Sequence, residues 1–287
     1  MNKLSDIGTI KEILKKHGFS FSKSLGQNFL INPAVCPKMA EMSGAKEGTG
    51  VIEIGPGIGV LTCELAKRAD KVAAIELDKR LLPVLNETLE EFNNVTIIND
   101  DVLKVDLHKL IEDEFAGKKV IVCANLPYYI TSPVIMKLLE DKLPIDSITV
   151  MVQKEAADRL CAEVGTRQSG AVTAAVNYYA KAKMLFKVSS GSFMPPPKVD
   201  STVIKLDIHD KPAVKADNEE LFFKVIKAAF AQRRKTLLNS LTNSMPYEKD
   251  KIANVLELAK IDPRYRAEQL GLEDFARISN EINKISN

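Results

Sequence analysis

Five short apolar runs, Val51–Gly55, Val72–Glu76, Val95–Asn99, Val120–Ala124 and Ser147–Val152, recur along the first half of the chain. Each reads as a buried strand bounded by turn residues. Helical stretches separate them: Val60 to about Ala69, a second reaching about Phe92, and a third opening near Pro133. No element is assigned between Asn99 and Val120. This β-α alternation predicts a doubly wound, mostly parallel sheet. Two later runs, Lys183–Val188 and Thr202–Ile208, have no helix between them and are expected at an antiparallel edge. Residues 154–164 and 170–180 read as helical, as does the N-terminal stretch from Ile7 to His17. A loop from Phe19 to Asn32 follows that first helix. From about residue 217 the periodicity is helical to the end, after a polar linker from His209 to Asp217.

The first strand leads into Glu53-Ile54-Gly55-Pro56-Gly57-Ile58-Gly59. Glycines between a strand and a helix let the backbone approach a ligand and turn tightly. Glu76 ends the next strand, 21 residues after Gly55, where a carboxylate can accept hydrogen bonds from ribose hydroxyls. Loop and acid together predict a nucleoside-containing cofactor, either NAD or S-adenosylmethionine. The spacing G-x-G-x-G argues against NAD. Asp100-Asp101 follows the third strand and places a carboxylate where an adenine amino group would lie, with a turn cap as the bland alternative. Asp101 is preferred over Asp100.

At the carboxyl end of the fourth strand stand Asn125-Leu126-Pro127-Tyr128-Tyr129-Ile130-Thr131. Ligands bind beyond that end of such strands. An amide acceptor, a rigid turn and an aromatic face suit a flat, amino-bearing ring. Tyr128 is read as the base contact, and Tyr129 and Ile130 as core packing.

The four cysteines stand far apart without a Cys-x-x-Cys pair, and the three histidines show no metal-ligand spacing. No run approaches a membrane span and the N-terminus lacks the apolar core of a signal peptide, so a reducing cytoplasm is expected. The net charge of +2 hides an asymmetry. Residues 76–115 hold eleven acids against four bases, whereas 221–247 hold five bases and no acid. Lys224, Lys227, Arg234 and Lys235 would share an arc of about 100° on a continuous helix. Phe223, Phe230, Leu237 and Leu241 would form a neighbouring apolar face, with Arg233 projecting elsewhere. Such a stripe suits phosphate contact without sequence readout. The alternative is a solvated helix surface.

The motifs together resemble the ribosomal RNA adenine N6-dimethyltransferase family, in its small-subunit branch. The matching segments run in order from Lys23-Ser-Leu-Gly-Gln-Asn-Phe-Leu30 through Glu53 to Thr62, Glu76-Leu-Asp78, Asn125 to Tyr128 and Val152 to Glu155. Phe193-Met-Pro-Pro-Pro-Lys-Val-Asp-Ser201 and Phe230 to Thr236 complete them. The resemblance implies a Rossmann-like class I S-adenosylmethionine-dependent methyltransferase, α/β, with a small C-terminal α-helical domain. It implies cofactor contacts at Asn28, Leu30, Gly55, Glu76, Asp101 and Asn125 and a catalytic group of Asn125, Leu126, Pro127, Tyr128 and Phe193. Phe29 is equally well read as a staple for the helix that follows it.

The implied reaction dimethylates N6 of two adjacent adenosines in the hairpin near the 3′ end of 16S rRNA, within the small ribosomal subunit or its precursor. Lys224, Lys227, Arg234 and Lys235 are the expected RNA contacts, no metal is expected, and the chain is expected to be monomeric. The expected domains are 1–210, with an N-terminal cap segment at 1–45, and 217–287. Two other classes stay in play: a dinucleotide-dependent oxidoreductase, which leaves Asn125 and Tyr128 idle, and a non-catalytic RNA-binding assembly factor on the same fold.

Overall fold

The computed structural model describes residues 4, 6–19 and 27–286. The first four residues of the Lys23–Leu30 motif therefore lie outside the described residues. The chain forms two compact units. The first comprises residues 1–157 and 183–208, and the second 158–182 and 209–287. The expected boundary between 210 and 217 is therefore incomplete, because residues 158–182 group with the C-terminal part.

In the first unit the chain runs through α1 (Ile7–Lys16), β1 (Phe29–Leu30), α2 (Val35–Ser43), β2 (Thr49–Ile54) and α3 (Val60–Ala66). Then come β3 (Lys71–Glu76), α4 (Leu82–Thr88), β4 (Val95–Asn99), α5 (Leu107–Phe115), β5 (Lys119–Asn125), α6 (Thr131–Glu140) and β6 (Ser147–Gln153). The chain passes to the second unit within α7 (Lys154–Leu160), forms α8 (Ala171–Tyr179), and returns in β7 (Ala180–Val188), β8 (Phe193–Met194) and β9 (Ser201–Ile208).

The main sheet has seven strands in the order β4-β3-β2-β5-β6-β9-β7. Strands β2 to β6 pair in parallel, and β9 runs antiparallel to β6. The order reverses between β2 and β5, and a crevice at such a switch point is where open α/β sheets bind ligands. Burial explains the uninterrupted apolar runs. Every residue of β2 is buried, as are Val120 to Ala124 of β5. Each such Val or Ile contributes roughly 1.5–3 kcal/mol when fully removed from water.

The helix expected after Phe29 is α2, buried through Val35, Cys36, Met39 and Ala40. One helix, α5, has no counterpart in the sequence expectations and fills the gap between Asn99 and Val120. Asp106 caps α5 by accepting from the Lys109 N–H at 3.0 Å, and Leu107, Ile111 and Phe115 form its buried face. The Phe115 ring lies so close over Gly50 that any β-carbon there would collide with it, so β2 needs a glycine at that point.

The second unit contains α8, α9 (Glu219–Phe230), α10 (Leu237–Ser244), α11 (Lys249–Leu258) and α12 (Leu272–Ser286). The basic segment is not one continuous helix. Residues 231–235 form turns, Thr236 becomes the N-cap of α10, and the Leu237 N–H bonds to the Tyr265 carbonyl at 2.6 Å. The premise that placed Lys224, Lys227, Arg234 and Lys235 on one arc therefore fails. The core face of α9 is Phe222, Val225, Ile226 and Ala229, with Phe223 half-buried beside Tyr179.

Candidate active site

The register of the central strands sets the height of the site. Ile54 pairs with Ile75 on one side and with Ala124 on the other. The next residues, Gly55, Glu76 and Asn125, therefore end three adjacent strands at one level. Gly55, Gly57 and Gly59 all adopt positive φ, at 69°, 62° and 87°. A residue with a β-carbon would be strained at any of these three positions. The loop turns directly into α3, with Gly59 as its N-cap.

Glu76 is 6% exposed, and its carboxylate accepts the Gly57 N–H at 3.2 Å and the Asp78 N–H at 2.8 Å. Burial pushes its pKa up, while those backbone donors draw it down. Asp100 and Asp101 both face the same cavity. Asp100 accepts from the Asp101 N–H at 2.7 Å, and Asp101 from the Leu103 N–H at 3.0 Å, so both also serve the turn after β4. Asp101 is the less exposed of the two.

Asn125 is half-buried at the tip of β5, and its side-chain amide makes no hydrogen bond among the described residues. Leu126 is buried beneath it, and Pro127 starts a 3-10 turn over Tyr128–Ile130. The Tyr128 hydroxyl meets the buried Ser201 hydroxyl at 2.9 Å, which fixes the half-buried ring. Burial raises the Tyr128 pKa, so the phenol stays neutral. Tyr129 departs from expectation. It is 54% exposed at the rim of the cavity rather than packed in the core, because the 3-10 turn directs it away from the strand layer.

A second, two-stranded sheet closes the cavity. Phe29 pairs with Met194 and Leu30 with Phe193, antiparallel, and the Ile31 N–H extends the pairing to the Ser192 carbonyl at 2.9 Å. Phe29 is buried, and its ring covers Gly57: a β-carbon there would lie 3.2 Å from it. Asn28, Leu30, Gly55, Glu76, Asp101, Asn125, Leu126, Pro127, Tyr128 and Phe193 thus line one cavity. Lys224, Lys227, Arg234 and Lys235 belong to the second unit, where all four are exposed. Lys224 pairs with Glu220 at 2.6 Å, and Arg233 lies 3.6 Å from Glu268 and donates to the Arg167 carbonyl.

Glu53, Asp78 and Ser201 were not singled out by sequence reasoning, although each stands inside a matching motif. Glu53 lines the cavity at 1% exposure, and its Oε2 finds no hydrogen-bond partner among the described residues. Burial pushes its carboxyl up to about 8, with the Thr62 hydroxyl opposing and the Glu76 carboxylate adding. The cavity accordingly combines a loop of three positive-φ glycines, the buried Glu76 carboxylate and a polar opening lined by Asn125, Tyr128 and Phe193.

Comparison with known proteins agrees with that description. Residues 18–284 match the family model described as ribosomal RNA adenine dimethylase. A ribosomal RNA small subunit methyltransferase A from Bacillus pumilus is 53% identical over 99% of both chains. Another, from Alkaliphilus oremlandii, is 50% identical over 99% of both. Among solved structures, a dimethyladenosine transferase from Plasmodium falciparum superposes with a TM-score of 0.74 at 28% identity, covering 90% of this chain and 98% of that one. The 23S rRNA methyltransferase ErmE gives 0.67 at 25% identity, covering 89% and 100%. The fold is that of class I methyltransferases, which sets aside the oxidoreductase alternative. The chain belongs to the ribosomal RNA adenine dimethylase family.

Proposed function

We propose that the protein transfers methyl groups from S-adenosylmethionine to N6 of two adjacent adenosines near the 3′ end of 16S rRNA, in the small subunit or its precursor. The observation that carries this reading is an uncommitted Asn125 amide at the level of Gly55 and Glu76, with a pinned Tyr128 ring lining the same cavity.

The donor fits the residues present. The glycine loop would let a methionine moiety approach closely, Glu76 would accept from the ribose hydroxyls, and Asp101 or its neighbour would take the adenine amino group; all of them line one cavity. The buried wall also offers a Glu53 carboxyl oxygen without a hydrogen-bond partner among the described residues. S-adenosylmethionine supplies an activated methyl group on a sulfonium. What remains for the protein is positioning, since N6 of adenine is a poor nucleophile with its lone pair delocalised into the ring.

Asn125 accepts a hydrogen bond from the amino group through its side-chain oxygen, which favours a pyramidal nitrogen with its lone pair free. An amide does this without placing a full anion in the slot. Tyr128 stacks on the extruded base and Phe193 flanks the opposite side, each such contact contributing roughly 1–3 kcal/mol. No strong base is required, because the methylated ammonium loses its proton readily. The exposed bases between Lys224 and Lys235 contact phosphates of the rRNA.

Mass spectrometry of 16S rRNA from cells with and without the protein tests this reading. The expected result is N6,N6-dimethyladenosine at two neighbouring positions only when the protein is present. Identical rRNA in both would rule the reading out, and would favour an assembly factor that keeps the fold without the reaction.

A further inference from the structure

We infer that Asp78 is a positioning residue: its carboxylate anchors Gln27 and thereby sets Asn28 over the donor pocket. The inference rests on the methyltransferase reading and deepens it.

Asp78 lies two residues beyond Glu76, at 6% exposure. Its Oδ1 accepts from the Arg80 N–H at 3.1 Å and from Arg80 Nε at 2.8 Å. Its Oδ2 accepts from Arg80 Nη2 at 2.7 Å and from Gln27 Nε2 at 2.8 Å. Its own N–H donates to Glu76 Oε1 at 2.8 Å. One residue therefore links the ribose-height carboxylate to a segment 51 positions upstream.

Arg80 holds the Asp78 carboxyl below the usual carboxylate range, aided by Gln27 against the cost of burial. The acceptor is thus ionised and nearly dry, a setting in which a hydrogen bond is stronger than between neutral groups. Arg80 also lies over the Phe19 ring, 5.1 Å from its centroid, and Phe19 leans on Phe29 at 6.1 Å. Phe19 and Gln27 thus both meet residues that follow β3, Arg80 and Asp78 respectively.

The consequence falls on Asn28. Residue 27 is fixed by Asp78, and residues 29 and 30 are fixed by pairing with Met194 and Phe193. Asn28 spans the two anchors and faces the cavity. Loss of the Gln27 anchor leaves the Phe29–Leu30 pairing intact but removes one restraint on the residue that faces the cavity. A cap for the 3-10 turn at Lys79–Leu81 accounts for the Arg80 N–H bond. It does not account for the bond to Gln27.

The test is calorimetry with S-adenosylmethionine on the full-length protein, its Gln27→Ala and Asp78→Ala variants and the double variant, with steady-state kinetics on unmethylated small subunits. A charge-assisted bond of this kind corresponds to about a tenfold rise in Kd and in donor KM for either variant. At saturating donor, kcat is expected to stay within about twofold of wild type, and the double variant to bind like either single one. Unchanged affinity in Gln27→Ala, or effects that multiply to about a hundredfold in the double variant, overturns the inference. Should Asp78→Ala fail to fold, Gln27→Ala decides the matter alone. Wild-type protein that fails to bind S-adenosylmethionine defeats the methyltransferase reading itself, and the inference with it.

Discussion

Leu30 and Phe193 are register partners in a two-stranded antiparallel sheet, although 162 residues separate them in the chain. One belongs to the segment expected to hold the donor and the other to the face expected to flank the target base. The pairing makes a single wall shared by both halves of the cavity. Phe193→Ala keeps the backbone pairing and removes only the ring. Its kcat/KM for small subunits is expected to fall about 10- to 100-fold, as loss of one stacking face implies, while donor affinity changes less than about threefold. Equal losses in donor binding would show that the ring shapes the donor side of the cavity rather than stacking on the base.

Tyr128 is held by one hydroxyl pair to Ser201. Tyr128→Phe retains the aromatic face and gives up the anchor, at about 1 kcal/mol. Activity is expected to drop several-fold in Tyr128→Phe and by orders of magnitude in Tyr128→Ala. Ser201→Ala should match the Phe variant. A Tyr128→Ala enzyme with wild-type turnover would remove stacking from the mechanism.

Glu53 predicts a specific pH dependence of stability. Its folded carboxyl is pushed up to about 8 from an ordinary value of 4.5. Between those values the native state holds a proton that the unfolded chain has lost. Stability contributed by this group is therefore full below about pH 4.5 and declines as pH rises toward 8, at up to roughly 1.4 kcal/mol per unit. Glu53→Gln removes that decline. Urea denaturation at several pH values should show the variant gaining on wild type steadily from pH 5 to pH 8 and levelling above. A pH-independent difference contradicts the assignment.

The parallel sheet was legible because burial on both faces leaves unbroken apolar runs such as Val120–Ala124, bounded by glycine and proline turns. The site was legible for a related reason: strand ends concentrate residues such as Glu76 and Asn125 that suit neither core nor turn. What escaped depends on distant partners. Strands β1 and β8 have two residues each, too few for any periodicity, and exist only because residues 29–30 meet 193–194. The break before α10 is likewise decided by a bond from Leu237 to Tyr265, which local pattern cannot report. The apolar character of Tyr129 suggested the core, whereas a single 3-10 turn puts it at the rim. By contrast, α5 was available to pattern reading: Asp106 as a cap before Leu107, Ile111 and Phe115 is a regular helical signature.

The exposed bases of the second unit lead to a salt-dependence prediction. Arg234→Ala and Lys235→Ala are each expected to weaken binding to small-subunit rRNA and to lower the slope of log K against log salt by about 1. Arg233→Ala, already engaged with Glu268 and the Arg167 carbonyl, should leave the slope unchanged and lower the melting temperature. Unaltered slopes for Arg234 and Lys235 would place the phosphate contacts elsewhere.

The central claim is that Asn125 presents the adenine amino group for transfer. It is tested most directly by incubating wild-type and Asn125→Ala protein with S-adenosylmethionine and unmethylated small subunits, then resolving the modified nucleosides by mass spectrometry. The account predicts N6,N6-dimethyladenosine from wild type, and from Asn125→Ala a loss of at least about a thousandfold in product, roughly 4 kcal/mol, with donor binding largely retained by calorimetry. Undiminished dimethyladenosine from the variant would contradict it.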